Sequence, residues 1–136
     1  MKLKKQKFSI NCKPFKVEPL FLINYSAKEY RDEVLKYVHL EDSELMDLEF
    51  CDGQQSTFSP TKDNSILRVV WLNGMKKNDP ESIGKLTHEV CHLVNRIHNH
   101  KGIPFNGKEN NDETFSYLVD FFVTEFLNKV RNHRHN

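Results

Sequence analysis

Residues Asp79 to His92 read DPESIGKLTHEVCH, and the fold is read outward from this stretch. Asp79 can cap a helix, Pro80 suits the first helical position, and Glu81 suits the positive end of the helix dipole. The helix is expected to run to about His98, with Gly102 and Pro104 marking its exit. At about 100° per residue, Ile83, Leu86, Val90, Leu93, Val94 and Ile97 form one apolar stripe. His88 and His92 fall roughly opposite that stripe, one turn apart on one face.

His88-Glu89-Val90-Cys91-His92 is an HExxH arrangement. Two imidazoles four residues apart on a helix can converge on one zinc ion, each about 2.0–2.1 Å from it. Glu89 points about 100° away from His88. It is therefore expected to act as a general base on water at the metal rather than as a ligand. With seven His among 136 residues, chance alone produces such a match in about 3 of 100 chains of this composition. Its placement opposite the stripe separates it from a pair of core histidines without metal. Cys91 lies between the two faces and is expected to pack. His98 and His100 are expected to be exposed at the helix exit.

A third ligand should come from another element. Asp112 is expected to cap a last helix running from Glu113 to about Arg131. Its apolar stripe would be Phe115, Val119, Phe122, Val123, Phe126 and Val130. Glu113, Tyr117, Asp120 and Thr124 would face away from that stripe. An antiparallel return would bring Glu113 near the end of the first helix, where a carboxylate completes a His₂Glu site with a fourth position open. Glu109 is the rival, expected in an Asn/Gly-rich loop with less rigid support. Asp120 could steady a ligand histidine from behind, and Tyr117 could assist at the reacting carbonyl.

Earlier in the chain, Lys2 to Ile10 could form an edge strand. Phe15 to Asn24 reads as a strand, with Pro19 suggesting an edge or a bend. Ser26 can cap a helix over Ala27 to Val38. Leu45 to Cys51 could be a strand, Asp52-Gly53 a turn, and Ser59-Pro60 a loop. Ser65 to Leu72, rich in Ile, Val and Trp, reads as a buried strand. The expected fold is α+β: a small, mostly antiparallel sheet packed against helices, in one domain over 1–136. Residues 1–64 would supply strands and a helix, and 65–131 a strand and the metal-binding helix pair.

The bulk figures fit one globular domain: 136 residues, 38% hydrophobic and 11% aromatic, long enough for a core without disulfides. A net charge of +1 carries no global field toward nucleic acid. The lysines of the N-terminus and the RNHRH tail, with His133 and His135, read as solvated ends. Cys12, Cys51 and Cys91 form no paired motif, which suggests reduced thiols. No stretch reaches the roughly 18 apolar residues of a membrane span, and no apolar core of a secretory signal follows the first lysines. A cytoplasmic location, in the host cell if phage-encoded, is the expectation.

HEVCH, followed some twenty residues on by DETFSYL, resembles the gluzincin metallopeptidases, and in particular the minimal HExxH proteins of phages and mobile elements. It is similar at greater distance to small metallopeptidases of the ImmA/IrrE type. The likeness covers about residues 65 to 127. It implies a minimal zincin-like fold, zinc bound by His88, His92 and Glu113, Glu89 as general base, and a peptide or protein substrate. No second catalytic acid or oxyanion donor stands out. The alternative from another class is a non-catalytic zincin-fold module, such as a phage regulator or virion component, favoured by the small size. The retained Glu89 argues for the enzyme, because structural zinc needs no base and tends to fill all four positions with protein ligands.

Overall fold

The structure, a computed structural model, describes residues 1–39, 52–101 and 109–133. Four strands form one sheet: β1 (Gln6–Ser9), β2 (Leu20–Ile23), β3 (Gly53–Phe58) and β4 (Leu67–Leu72), in the order β1-β2-β4-β3. β1 and β3 are the edges and pair antiparallel with their neighbours, whereas the central pair β2 and β4 is parallel. Among the described residues the sheet is accompanied by three α-helices, α1 (Ala27–Val34), α2 (Pro80–His100) and α3 (Glu109–His133), and a short 3-10 turn over Lys13–Phe15. The expected α+β architecture, with α2 and α3 together on one face of a small sheet, is what forms.

The central strands are the ones that read as apolar runs, because both of their faces are covered. Val70 and Leu72 of β4, with Phe21 and Ile23 of β2, pack against Leu86, Val90, Leu93, Val94 and Ile97 of α2 and Leu118, Phe122, Phe126 and Val130 of α3. On the other face Val69, Trp71 and Leu22 meet Tyr30 and Val34 of α1. The Tyr30 and Trp71 rings stack 5.0 Å apart, and Trp71 Nε1 donates to Tyr25 O at 2.8 Å. A buried side chain of this size contributes about 1.5–3 kcal/mol relative to exposure. The parallel β2–β4 pair needs a crossover, and α1 lies on it.

Local signals set the helix starts. Ser26 and Glu29 form a reciprocal capping box at α1. Asp79 Oδ2 accepts from Ser82 N at 3.0 Å, with Pro80 at the first position of α2. Asn24 ties the ends of β2 and β4 together: its Nδ2 donates to Leu3 O and Met75 O, and its Oδ1 accepts from Met75 N.

Several expectations need correction. Gly53 opens β3 rather than a turn, and the polar run GQQSTF is an edge strand. An edge pairs on one side only, so it needs little apolar character. Within the Phe15 to Asn24 stretch only Leu20–Ile23 is strand; Pro19, which has no N–H to donate, precedes it. α1 ends at Val34, although Val38 is still buried beyond it. α2 runs on to His100, and α3 begins at Glu109, one turn before the expected start. Asp112 therefore lies inside α3 and does not cap it, and Glu109 belongs to a helix, not a loop. Leu118 joins the buried stripe of α3, while Phe115, Val119 and Val123 are only partly buried. Ile83 is 43% exposed. The strand proposed over Leu45 to Cys51, the exit residues Gly102 and Pro104, and His135 lie outside the described residues, as do the side chains of Glu109, Asp112 and His133. Among the described residues, no helix is long and apolar enough to cross a membrane.

Candidate metal centre

α2 lies on the sheet by its apolar stripe, which leaves His88 and His92 on its outer surface. The His88 side chain is 68% exposed. The two rings meet edge to face, with centroids 4.7 Å apart at 85°, and their Nε2 atoms are 3.2 Å apart. Two ligands each about 2.0–2.1 Å from one ion, separated by that distance, subtend about 100° at it, close to tetrahedral. That separation is compatible with both nitrogens reaching one ion. The contact is a hydrogen bond only when one ring donates and the other accepts.

Glu89 takes a different path. Its side chain is 13% exposed and its Oε2 is 3.9 Å from His88 Nε2, too far for a hydrogen bond. Its Oε1 accepts from the backbone N–H of Gln55 at 3.0 Å. β3 is an edge strand, so this N–H points away from β4 and would otherwise seek water. The carboxylate is therefore anchored against the sheet edge, with its second oxygen left beside the histidines. A base held at a fixed angle next to an open pair of imidazoles can receive a proton from water lying between them.

The other expected site residues are not gathered in. Glu113 is exposed and lines a shallow depression with Phe15, Thr114 and Tyr117. Tyr117 is 59% exposed. Asp120 accepts from Thr124 Oγ1 at 3.4 Å within its own helix. Among the described residues, no three of His, Cys, Asp and Glu come together as a metal-binding group. The reason lies in the helix packing: α3 meets α2 on the side of His98, whose ring stands edge-on to Phe115 at 5.5 Å, whereas Glu89 faces β3.

His98 itself overturns the expectation of exposure. It is 0% exposed, and among the described residues neither ring nitrogen has a hydrogen-bond partner. Burial pushes its pKa below the usual histidine value. Cys91 is half-buried and free, as expected of a packing residue; burial raises its pKa. β3 was missed from the sequence, and with it Gln55; the only signal was the Thr57-Phe58 end of a polar run. Comparison with known proteins adds no name: no family, no curated protein and no solved structure matches the chain.

Proposed function

We propose that the protein is a zinc-dependent hydrolase of the metallopeptidase type, acting on a peptide or protein substrate. The observation that carries this reading is the convergence of His88 and His92 Nε2 at 3.2 Å beside a carboxylate anchored by an edge-strand amide. His88 and His92 would hold the zinc. Glu109 and Glu113, on the first turns of α3, are the candidates for a third ligand, with Tyr117 and Asp120 as possible supporting groups. A bound zinc supplies Lewis acidity to water and to a carbonyl. Glu89 supplies the base: its Oε2 is free of the Gln55 N–H and receives the proton of the attacking water. It then returns that proton to the departing amine, as a general base becomes a general acid in the second half of a hydrolysis. The exposed imidazole face leaves an opening for a polypeptide.

The test is Glu89→Gln. Glutamine keeps the volume and an oxygen for the Gln55 N–H, but it cannot take the proton. At equal zinc content, peptide cleavage should fall by about 10²–10⁴-fold. Undiminished cleavage by the variant would remove Glu89 from the chemistry.

A further inference from the structure

The segment before β1, the loop after β4, the first turns of α2 and the last turns of α3 border a cavity of about 300 Å³. Leu127, Val130 and Arg131 lie three and four residues apart, so they share one face of α3, as Ile83 and Leu86 share one face of α2. Leu86 and Phe126 close the floor against the core, whereas Ile83 and Leu127 are each 43% exposed at the mouth. Backbone bonds fix the walls. Leu3 N donates to Met75 O and Lys77 N to Met1 O, each at 2.9 Å, and Lys76 N donates to Ser82 Oγ at 2.8 Å.

Two large apolar side chains exposed across one cavity form a patch, and an exposed apolar patch with a polar rim marks a binding surface. Among the described residues, the charged side chains that line the cavity are Lys76, Lys77 and Arg131, all cations. Lys76 and Arg131 are exposed and Lys77 is half-buried. Asp79, whose pKa is lowered first by its bond to Ser82 and also by the nearby Lys76, offsets part of one of these charges. Lys77 and Arg131 keep the mouth positive. An apolar cavity under a cationic rim is complementary to a molecule with an aliphatic body and a negative head.

We infer that this cavity binds a single-chain anionic amphiphile, a fatty carboxylate or an alkyl phosphate, with its tail between α2 and α3 and its head at Lys77 and Arg131. A volume of about 300 Å³ is at the low end of small-molecule sites, which suits one alkyl chain and not a two-chain lipid. A partner helix would need apolar anchors spread over about seven of its residues, whereas the exposed apolar surface here is centred on Ile83 and Leu127. The cavity is separate from the histidine face. His88 follows Leu86 by two residues, about 200° round the helix, so the inference does not depend on the zinc reading.

Calorimetric titration of the full chain with decanoate, kept below its micellar concentration, tests the site. Binding should saturate at a single site. Octanoate, two methylenes shorter, should bind about tenfold more weakly, and butyrate should not bind. Decylammonium, with the same tail and the opposite charge, should bind at least about tenfold more weakly than decanoate. Decyl phosphate, compared with decanoate, identifies the head that the rim prefers. Leu127→Glu sets a carboxylate at the exposed mouth; it should keep the melting temperature and lower decanoate affinity at least about tenfold. Lys77→Gln/Arg131→Gln should keep the tail site but bring decanoate and decylammonium within about threefold of each other. His88→Ala/His92→Ala should bind decanoate as the wild type does. Saturable binding of neither decanoate nor decyl phosphate, equal binding of decanoate and decylammonium by the wild type, or undiminished binding by Leu127→Glu would overturn the site. A light-scattering mass of two chains that Leu127→Glu reduces to one, with no decanoate bound, would give the surface to a second copy instead. Binding of an acidic amphipathic helical peptide in place of both alkyl anions would give it to a protein.

Discussion

α2 carries two kinds of histidine. His88 and His92 stand on its outer surface with Nε2 atoms 3.2 Å apart, while His98, less than two turns beyond His92, is wholly enclosed, with both nitrogens unpartnered among the described residues. The same side chain on one helix is thus a convergent, accessible pair in one place and an isolated ring in another. The difference teaches that convergence with access, rather than histidine content, marks a metal-binding face. The outer pair is free to serve a ligand because it bears none of the packing. His98 bears packing against Phe115 and is closed to solvent.

If this division is right, the two faces of α2 should respond very differently to truncation. Leu93→Ala, on the buried face, should destabilise the protein by about 2–5 kcal/mol in denaturant unfolding. His88→Ala and His92→Ala, measured without metal, should stay within about 0.5 kcal/mol of the wild type. Comparable losses on both faces would erase the distinction between them.

Glu89 lies at the border of the two faces, and two substitutions separate its roles. Glu89→Ala leaves the Gln55 N–H without its acceptor and should cost about 1–3 kcal/mol of stability. Glu89→Gln keeps an acceptor and should cost clearly less, although it removes the base. Equal stability losses would mean that Oε1 does not hold the edge strand.

The smallest effect concerns His98 and pH. Its folded pKa is lowered by burial, so the unfolded chain takes up a proton first as pH falls. Stability is then fully retained above the unfolded value of about 6.5 and is lost as pH drops toward the folded one. His98→Leu should flatten that acid limb in unfolding curves recorded between neutral and mildly acidic pH. An unchanged limb would assign it to other groups.

The parts of the molecule legible in the sequence are those set by nearby residues. The start of α2 is local: Asp79, Pro80 and a stripe of 3.6 period all lie within it. β4 is nearly as plain, since a strand covered on both faces must be apolar. β3 was illegible because its strand character comes from pairing with β4 and from Glu89, far away in sequence, and its own residues are polar. Glu113 shows the same limit. Its face on α3 was correctly read as turned from the core, but which side of α2 meets α3 depends on tertiary packing. That packing set His98, rather than His92, against the start of α3. Arg68 was passed over inside an apolar strand, where only the structure shows it to be largely buried.

Zinc content tests the central claim most directly. The purified wild type, dialysed against zinc and assayed by elemental analysis, should hold about one ion per chain, and His88→Ala/His92→Ala should hold none at the same protein concentration. Full retention of zinc by the double variant would contradict the assignment of this face of α2 as the metal centre.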